Sequence, residues 1–380
     1  MKVLILNSIV NTAEKGVIPR YDSNHDSMIY NMARGFVKLG HDVTLIADNA
    51  FLPLKSETNP FETIYLSGYA RKIFKPDLLP APKGLYRYLK ENARNFDLIL
   101  SSELFSIATL IAARIGEARK KLVVWQELTC YQRFLFKLPA KVWYNIVVPL
   151  LIGRDIVIVP RSDKARHFIS EHGRRVSDEI VDHGVNAEIF FDRNVDQRSR
   201  SFIVVSQLIA RKRIDRIITK FAGLVSLPEY ADCRLDIVGS GAEEGRLKEL
   251  ACELHVGAAV RFHGRLTQQE WAPMASRAAA MLVDTERDLN MVSIAESVAN
   301  ITPVLTNTVP ATASFISNNK LGIAISDWGR EELIMMLDRQ NELRNNCRAI
   351  RNSLTNVGAA ESIIKIANKC LTADNTSANI

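Results

Sequence analysis

Paired cysteines are missing from this chain. Its five cysteines are scattered along 380 residues, and no two of them are spaced as C-x-x-C. This distribution argues against a zinc site or a disulfide framework and favours a reducing compartment. The chain also has no zinc-finger pattern, no RNP-like aromatic motif and no long tract of lysine and arginine. Nucleic acid is therefore the least favoured of the anionic partners considered below.

Long apolar runs are missing as well. Residues 1–8 contain an apolar run that is too short for the core of a signal peptide, and they predict a buried first strand instead. The longest apolar stretch, 142–153, contains Asn145 and Pro149 and falls well short of the roughly 20 residues needed to cross a bilayer. We therefore expect a cytoplasmic protein that does not cross a membrane.

Basic residues outnumber acidic ones, and the formal net charge is +7. A positive balance favours an anionic partner, such as the phosphates of a nucleotide, a membrane that carries anionic lipid, or nucleic acid. The stretches 71–75 and 133–137 mix basic with bulky apolar residues, and the apolar segment 142–152 follows them. These stretches fit peripheral contact with the inner face of the plasma membrane, and they fit equally well core helices whose lysines reach solvent.

Strand-like apolar runs alternate with helix-length amphipathic segments along nearly the whole chain, a pattern typical of βαβ units. Strands are predicted near 2–7, 43–46, 63–66, 97–101, 121–125 and 155–159, and then near 201–205, 234–238, 258–262, 280–284, 303–305 and 321–325. Residues 186–200 turn polar and lose this periodicity, which indicates an interdomain linker. The pattern predicts an α/β protein with two doubly wound, Rossmann-like domains that face each other across a cleft, with ligands at the carboxyl ends of the strands.

Two polar residues of the first half are candidates for contact with an acceptor or for a place in the cleft wall. His25 precedes a helix that apolar periodicity predicts over 26–39, with Gly40 as its C-cap. A helix N-cap made by Asn24 or Asp26 explains the same polar turn. Glu127 follows the strand predicted at 121–125, although polar residues at strand ends are also common in ordinary loops.

The most informative segment is 281–305, which reads as a buried strand, a charged loop, a short helix and another strand. It places two carboxylates, Asp288 and Glu296, eight positions apart across a helix N-terminus. Free N–H groups at such a terminus attract a diphosphate, and carboxylates accept hydrogen bonds from sugar and ribose hydroxyls. Glu296 falls opposite the apolar stripe of the helix, so a solvated polar face is the alternative interpretation.

This segment resembles the Glu-x7-Glu signature of the retaining family 4 glycosyltransferases, which have the two-domain GT-B architecture. Asp288 takes the first acidic position, where the family usually has Glu, and Glu296 takes the second. The resemblance implies that Asp288 contacts the transferred sugar and that Glu296 binds the nucleotide ribose. The amides that it implies for the diphosphate are those of Asn290, Met291 and Val292. Met291 stands where the family usually has Gly.

A basic cluster, Arg211-Lys212-Arg213, follows the strand predicted at 201–205 and opens a helix. Cations at a helix N-terminus oppose the macrodipole, so this location favours a bound anion. The family typically has Arg, four residues and then Lys at this point, and both side chains meet the donor phosphates. Here Gln207 stands at the Arg position and Lys212 at the Lys position, with Arg211 as an adjacent substitute. A solvated basic turn is the alternative.

A glycine turn, Gly239-Ser240-Gly241, follows the strand predicted at 234–238. It resembles a dinucleotide fingerprint, but Glu244 holds the sixth position in place of Gly, and carboxylates in the first helical turn would repel a pyrophosphate. We therefore reject a Rossmann cofactor site here. Similar glycine turns in the family border the nucleotide base, and that role and a plain tight turn both stay open for Gly239 and Gly241.

Further motifs are similar to the family in their order along the chain. Residues 183–186 with Phe190 look like the Asn-Gly-Val-Asp and Phe segment at the end of its first domain, and 260–264 looks like its Val-x-Phe-x-Gly strand. Ile301 stands before Thr302-Pro303-Val304, where the family usually has Gly. We expect this last difference to alter only a local turn.

The resemblance implies a metal-independent retaining glycosyltransferase, a hexosyltransferase-type enzyme of class EC 2.4, which moves a sugar from a nucleoside diphosphate to an acceptor hydroxyl. UDP or GDP sugars are the expected donors, and no cofactor or metal is expected. The expected acceptor is a lipid-linked or cell-envelope glycan of polysaccharide biosynthesis. Two rivals stay open: a nucleotide-sugar epimerase of the same architecture, and a non-catalytic scaffold in which Asp288 and Gln207 mark lost activity.

The expected domain boundaries follow from the linker and the motifs. We expect an acceptor-side domain over 1–190 and a nucleotide-sugar domain over 191–355. A C-terminal helix over 356–371 is expected to pack back toward the first domain, and 372–380 is expected to be a tail.

Overall fold

The computed structural model describes residues 1–11, 18, 20–132, 135–191, 199–287 and 291–377. Contacts divide the chain into two compact units. Unit 1 consists of Met1–Gly184 and Asn356–Ile380, and unit 2 consists of Val185–Thr355. The chain therefore leaves unit 1 once, builds unit 2, and returns to unit 1 at residue 356.

Unit 1 is built on a parallel sheet. Its strands are β1 (Lys2–Leu6), β2 (Asp42–Asp48), β3 (Glu62–Leu66), β4 (Leu98–Ser102), β5 (Leu122–Gln126) and β6 (Val157–Pro160). Their order in the sheet is β3-β2-β1-β4-β5-β6, and every neighbouring pair is parallel. The central strands are apolar and buried at nearly every position, as expected when helices cover both faces of a parallel sheet.

The helices of the first part of the chain connect these strands. They are α1 (Met28–Lys38), α2 (Leu85–Asn92), α3 (Ile107–Arg114), α4 (Gly116–Arg119), α5 (Leu138–Val142), α6 (Val148–Leu151), α7 (Asp163–Ser170) and, after the boundary with unit 2, α8 (Ala187–Phe190). A π-helical turn, Trp143–Val147, joins α5 to α6. Within the described residues, no helix of the chain combines the length and the apolar composition that a bilayer-spanning segment needs.

Helix α1 confirms the predicted periodicity but not the predicted cap. Ser27 is the N-cap, and its hydroxyl accepts a hydrogen bond from the Tyr30 N–H. The cap predicted from Asn24 or Asp26 is therefore wrong, because Asn24 is buried with other partners and Asp26 is exposed. Gly40 follows the helix with φ +79°, the left-handed conformation that a glycine C-cap supplies.

The last helix of the chain, α16 (Asn356–Ser377), belongs to unit 1 and packs on α1. Asn356 donates from Nδ2 to the Asn31 carbonyl oxygen at 3.0 Å, and Asn31 donates from Nδ2 to the Gly184 carbonyl oxygen at 2.9 Å. Gly35 permits this approach, since a Cβ at that position would lie 2.3 Å from the Asn356 carbonyl oxygen. The helix continues to Ser377, which takes it into the segment expected as a tail.

The segment α5–π–α6 carries two opposite apolar stripes. One stripe is buried and recurs every four residues: Ala140, Tyr144, Val148 and Ile152. The other stripe is exposed, with the same spacing: Leu138 at 63%, Val142 at 42%, Ile146 at 52% and Leu150 at 73% exposure. Phe136, just before α5, is 99% exposed. This second stripe is a solvent-exposed apolar surface. We call it the outer stripe (Phe136, Leu138, Val142, Ile146 and Leu150). Its exposure is unusual, because a helix with apolar residues on both sides is normally buried.

Unit 2 is built on a second parallel sheet. Its strands are β7 (Ser201–Val205), β8 (Arg234–Val238), β9 (Val260–Gly264), β10 (Ala280–Val283), β11 (Val304–Thr306) and β12 (Gly322–Ala324). Their order is β12-β11-β10-β7-β8-β9. The helices are α9 (Ile214–Val225), α10 (Glu244–Glu253), α11 (Gln268–Arg277), α12 (Val292–Ala299), α13 (Ala313–Asn318), α14 (Arg330–Asp338) and α15 (Gln340–Ile350). Each strand predicted from the sequence is present in one of the two sheets, shifted by two residues at most.

Ile301, after α12, does more than alter a local turn. It has φ +61° and is only 2% exposed, so a β-branched residue occupies the left-handed region inside the core of unit 2. The left-handed conformation costs about 1–2 kcal/mol. Burial of the isoleucine side chain contributes about 1.5–3 kcal/mol, which offsets that cost.

Candidate functional site

The predicted donor residues of the described chain lie on loops at the carboxyl edge of the unit 2 sheet. Gln207, Arg211 and Lys212 follow β7, and Gly239 and Gly241 follow β8. Met291, Val292 and Glu296 come after β10, in the segment that leads into α12 and in the helix itself. Because β10, β7 and β8 are neighbours in the sheet, their loops adjoin one another. This edge is where ligands bind in open α/β sheets.

Glu296 is buried. Its side chain accepts a hydrogen bond from Nε2 of Gln268, on α11, and the residue is only 5% exposed. The neighbouring polar residues Ser297 and Asn300 are 0% and 1% exposed. The interpretation of this helix face as a solvated surface is therefore wrong. Burial of a carboxylate costs free energy unless the group is hydrogen-bonded. The buried Glu296 carboxylate beside α11 is therefore a feature that indicates a functional site.

The start of α12 lies next to the segment predicted to hold the diphosphate. Val292 is its first residue, and Met291 is the N-cap, with a side chain that makes no capping hydrogen bond. Met291 is 6% exposed and packs in the core instead. Met291 itself therefore gives the first N–H groups of the helix no side-chain acceptor. Asp288 and Asn290, the other predicted residues of this loop, lie outside the described residues.

The basic loop after β7 is tied to the loop after β10. The Arg211 carbonyl oxygen accepts hydrogen bonds from the Glu286 N–H and the Thr285 hydroxyl, both at 2.9 Å. Nη1 of Arg211 donates to the Arg287 carbonyl oxygen at 3.0 Å. Four residues from two loops thus hold one another, and the half-buried Lys212 follows directly in the same turn.

Arg213 differs from its two basic neighbours. It has φ +45° at the start of α9 and forms ion pairs with Asp215 at 3.2 Å and Glu286 at 2.6 Å. Hydrogen bonds from Arg213 to Asp215 and then to Glu286 raise the pKa of the guanidinium. Arg213 therefore joins the two loops through its ion pairs, and the donor roles of Lys212 and Arg211 stay predictions.

The glycine turn is explained by close contact with the β7 loop. A Cβ on Gly239 would lie 1.8 Å from the Ser206 carbonyl oxygen, and one on Gly241 would lie 2.2 Å from the Leu208 carbonyl oxygen. The Leu208 N–H donates to the Ser240 carbonyl oxygen at 3.0 Å. Gln207 sits half-buried between these contacts. Only glycine fits at 239 and 241, and the backbone pairing fixes the path of the loop that leads to Lys212.

Asp284 anchors the β10 loop, and sequence reasoning missed it. The residue is 1% exposed, and its carboxylate contacts Nζ of Lys220 at 2.7 Å and Nε of Arg216 at 3.4 Å. Asn307 donates to the same carboxylate at 3.1 Å. Lys220 also lies over the Trp328 ring, 4.3 Å from its centroid. The signal available in the sequence was an acid at the end of a fully apolar strand.

At the carboxyl edge of the unit 1 sheet, a buried arginine contacts several polar residues. Arg161, which follows β6, is 4% exposed and donates to Glu127 at 2.7 Å. It also lies 3.0 Å from Nδ1 of His183 and 3.6 Å from Asp182. Its guanidinium stacks over Trp125, 4.5 Å from the ring centroid. Glu127 was predicted from the sequence as a candidate at this edge, and Arg161 was not.

Glu103, which follows β4, completes this edge. Its carboxylate accepts hydrogen bonds from the N–H groups of Glu127 at 2.7 Å and Leu128 at 3.2 Å. Burial and the charge of Glu127 raise the pKa of Glu103 to about 8. Burial would also raise the pKa of Asp182, but the charges of His183 and Arg161 outweigh it and hold that pKa well below its ordinary value. The two carboxyl groups therefore differ in charge at neutral pH.

Two profile matches cover most of the chain. Residues 185–352 match the family model described as glycosyl transferases group 1, and residues 26–189 match the model described as glycosyltransferase family 4. The two matches adjoin near the boundary between the units.

The chain belongs to the family 4 glycosyltransferases.

Solved structures with the same fold include several glycosyltransferases. Sucrose-phosphate synthase from Thermosynechococcus elongatus has 15% identity and a TM-score of 0.70, with 98% of this chain and 99% of that chain covered. HepE from Anabaena, in complex with UDP, has 14% identity and a TM-score of 0.68, with 97% and 100% covered. WaaG, a glycosyltransferase involved in lipopolysaccharide biosynthesis, has 15% identity and a TM-score of 0.64, with 96% and 99% covered. The fold of this glycosyltransferase is therefore GT-B. No protein of curated function matches the chain by sequence.

His25 of this glycosyltransferase lies on the connection that follows β1 and leads into α1. Its side chain is 47% exposed, and Nε2 lies 4.0 Å from a carboxylate oxygen of Glu57. Its backbone N–H donates to the Ser23 hydroxyl at 3.0 Å. A contact of His25 with acceptor or donor stays a prediction.

In the part of the chain that the structure describes, no three His, Cys, Asp or Glu side chains come together as a metal site would require.

Proposed function

We propose that this glycosyltransferase is a retaining, metal-independent hexosyltransferase that moves a sugar from a UDP or GDP sugar to an acceptor hydroxyl. The main support for this proposal is the burial of the Glu296 carboxylate. Gln268 donates a hydrogen bond to it at the carboxyl edge of the parallel, Rossmann-like sheet of unit 2. A carboxylate in that place accepts hydrogen bonds from the two hydroxyls of a ribose.

The proposed roles of the other donor residues follow from charge and position. Lys212 and Arg211, with the N–H groups of Asn290, Met291 and Val292, hold the diphosphate and stabilise its charge as it leaves. Asp288 positions the sugar so that the acceptor hydroxyl approaches its anomeric carbon. Gly239 and Gly241 border the base, and Gln207 replaces a second phosphate-binding cation with a neutral hydrogen-bonding side chain.

UDP is the donor nucleotide that the comparisons favour. HepE from Anabaena is known in complex with UDP, with UDP and glucose, and with UDP-glucose. The identity to this chain is 14%, so the pockets of the two proteins need not select the same base or sugar. GDP therefore stays in the proposal.

We place the acceptor at the carboxyl edge of unit 1. Glu127, held by Arg161, provides an acceptor for a sugar hydroxyl, and His25 is a second candidate for contact. The proposed acceptor is a lipid-linked or cell-envelope glycan, which supplies the hydroxyl. A role in polysaccharide biosynthesis on the cytoplasmic side would follow.

The outer stripe supports the lipid-linked part of this proposal. Five large apolar side chains face water there, and the exposed Lys137 and Lys141 stand among them. An apolar face edged by lysines fits a surface of anionic lipid, into which the apolar groups insert while the lysines meet the headgroups. The proposal is peripheral attachment to the inner face of the plasma membrane.

The first experiment removes the ribose carboxylate. Glu296→Ala is expected to lower donor affinity or turnover at least about tenfold, because a charge-assisted hydrogen bond contributes about 1.5–3 kcal/mol. Glu249→Ala, at an exposed position of α10 in the same unit, is the matched control. Circular dichroism and melting temperature check that both variants fold. Wild-type kinetics in the Glu296→Ala protein would contradict the proposal.

The second experiment separates transfer from its rivals. Thermal shift against UDP, GDP and ADP sugars identifies the donor, because a ligand that binds the native state raises its melting temperature. The preferred donor is then incubated with and without a glycan acceptor. Isomerised sugar without acceptor indicates an epimerase, and binding without turnover in any acceptor screen indicates a scaffold. Transfer with retained anomeric configuration, unchanged by EDTA, is the expected result.

The third experiment tests the membrane surface. The protein is sedimented with vesicles of phosphatidylcholine alone or with phosphatidylglycerol added, and stronger binding is expected to the anionic vesicles. Leu150→Glu should weaken that binding about tenfold or more, since it removes about 1.5–3 kcal/mol of apolar burial and adds a repelled charge. Ile325→Glu, at an exposed apolar position of unit 2, is the control. Equal binding of both variants would rule out the outer stripe as the contact surface.

A further inference from the structure

A cavity of about 350 Å³ lies in unit 1, on the side of the sheet that carries α1. Its volume is at the lower end of the range of about 300–1,000 Å³ typical of small-molecule sites. The edge strand β3 forms one wall, and the connection between β2 and β3 forms the rim. The cavity is remote from Glu127, because β3 and β5 are four strand positions apart in the sheet, about 19 Å.

The cavity exists because no helix covers the edge strand at this point. The connection from β2 to β3 has only a short 3-10 turn, Asn49–Phe51, and then runs as irregular chain over 52–61. Phe61, Thr63 and Tyr65 alternate along the chain, so they face the same side of the sheet. That side is the one on which Tyr30, in the first turn of α1, packs against the Phe61 ring at 5.2 Å.

The floor of the cavity is a fixed polar network. The hydroxyls of Tyr30 and Tyr65 are 2.7 Å apart, and Asn24 donates from Nδ2 to Tyr65 at 3.1 Å. Glu57 accepts hydrogen bonds from the Ser23 hydroxyl and the Asn24 N–H, both at 2.9 Å. Burial would raise the pKa of Glu57, but these bonds and one from Tyr30 outweigh it and lower that pKa, so the carboxylate is ionised. The floor is therefore preorganised before any ligand arrives.

Within the described residues, two buried acceptor atoms on residues that line the cavity have no hydrogen-bonding partner. They are Oδ1 of Asn59 and Oγ1 of Thr63. A buried polar atom without a hydrogen bond costs about 1–3 kcal/mol, so a ligand hydroxyl that reached either atom would be favoured. Nδ2 of Asn59 lies 3.4 Å from Glu57, which aligns the amide beside the carboxylate of the floor.

The lining chemistry selects the class of ligand. Carboxylate, amide and hydroxyl oxygens accept hydrogen bonds from a polyol, and the aromatic rings pack against its C–H faces. Of the residues that line the cavity, only Glu57 and Lys55 carry charge, and Lys55 reaches outward to Asp22 at 2.5 Å. This arrangement disfavours a phosphate or a nucleotide, in contrast to the basic loop of unit 2.

We propose that this cavity binds one neutral sugar unit of a glycan, at a site separate from the donor site. The proposal deepens the proposed function, since a glycan acceptor supplies such a unit, and the structure assigns Thr63, Asn59 and Glu57 as its hydrogen-bonding groups. Binding there would hold an extended acceptor on unit 1 while another of its residues reacts.

The test measures sugar binding without any donor. Saturation-transfer difference NMR on the full chain uses methyl glucoside, methyl galactoside, methyl mannoside, N-acetylglucosamine, cellobiose and lactose. We expect at least one of them to bind, and Thr63→Val and Asn59→Ala each to weaken that binding about fivefold, the effect of one lost hydrogen bond. Thr44→Val is the matched control, because Thr44 bonds to Glu62 on the opposite face of the sheet.

Each outcome decides the proposal. Binding that both pocket variants weaken and Thr44→Val preserves supports it. No binding of any sugar, or binding that neither pocket variant changes, overturns it. The melting shifts induced by UDP and by GDP are recorded for the same proteins, and each is expected to be equal in all of them. A nucleotide shift without sugar binding refutes this site alone, whereas sugar binding without a shift from either nucleotide refutes the proposed donor function alone.

Discussion

The carboxyl edges of the two sheets are built by different means. In unit 1, side-chain contacts hold the loops: the Glu103 carboxyl group accepts hydrogen bonds from two N–H groups of the next loop, and Arg161 pairs with Glu127 and Asp182. In unit 2, the loops after β7 and β8 are held by backbone contacts that glycine permits. The loops of unit 1 therefore depend on buried side-chain contacts, whereas the contact between the β7 and β8 loops of unit 2 depends on backbone shape. The β7 loop is also joined to the β10 loop by Arg211 and by the ion pair between Arg213 and Glu286.

This difference matches what each edge is proposed to bind. Backbone contacts in unit 2 fix the path of the loop that leads to Lys212, which is proposed to bind the diphosphate. A loop that binds neutral hydroxyls can contain internal ion pairs. Its charged side chains can pair with one another, because no charged ligand has to bind them.

The largest expected effect is loss of the unit 1 arginine. Arg161→Met is expected to lower the free energy of unfolding by about 3–5 kcal/mol, because it leaves the carboxylates of Glu127 and Asp182 without their buried partner. Urea unfolding followed by tryptophan fluorescence measures the change.

The control for this change is Arg166→Met. Arg166 pairs with Asp163 at the surface and is 41% exposed, so its removal should cost no more than about 1 kcal/mol. Equal costs for the two variants would mean that charge does not organise this edge.

The next effect tests the backbone contacts of unit 2. Gly239→Ala is expected to cost about 2–4 kcal/mol, because φ +141° is unfavourable for alanine and its Cβ would collide with the Ser206 carbonyl oxygen. The same substitution should weaken UDP binding, since it moves the loop that leads to Lys212. Urea unfolding and UDP-induced thermal shift measure the two effects.

Gly245→Ala is the matched control in the same unit. Gly245 is inside α10, and a Cβ there meets nothing within 4 Å. The variant should gain up to about 1 kcal/mol, because alanine is the better helix former. A Gly239→Ala protein as stable as this control would remove the proposed reason for the glycine turn.

The smallest effect is a pH dependence confined to unit 1. The pKa of Glu103 is about 8 in the folded protein against an ordinary value of 4.5. Between these values the folded chain binds more protons than the unfolded chain, so the free energy of unfolding falls as pH rises. Glu103→Gln should flatten this fall by on the order of 2 kcal/mol between pH 5.5 and pH 8.

Urea unfolding at the two pH values measures this dependence for the wild type, for Glu103→Gln and for the exposed-site control Glu117→Gln. The control should keep the wild-type slope. If all three proteins show the same slope, Glu103 does not titrate as its environment indicates.

The sheets were predictable because apolar runs of strand length alternate with helix-length segments throughout both halves. Local caps were less predictable, since Asn24, Asp26 and Ser27 are all good N-cap residues and only tertiary packing decides among them. Asn24 was drawn away from α1 by Phe51 and Tyr65.

The buried polar groups were the hardest to predict. The wheel correctly placed Glu296 opposite the apolar stripe but could not show that α11 covers that side with Gln268. Arg161, Glu103 and Asp284 each follow a strand, yet polar residues after strands are common, and only the fold shows which of them meet. Asp288 and Asn290 lie outside the described residues, so their roles stay predictions.

The return of α16 to unit 1 has a consequence for synthesis on the ribosome. Ala360 and Ile363 of this helix complete the core around Phe36, so that core stays open until α16 emerges. Translation of residues 185–355 at about 5–20 residues per second takes roughly 10–30 s. Throughout that interval the nascent first half displays an unsealed apolar surface. A ribosome that stalls within the second half should therefore leave a chain that recruits chaperones or is degraded.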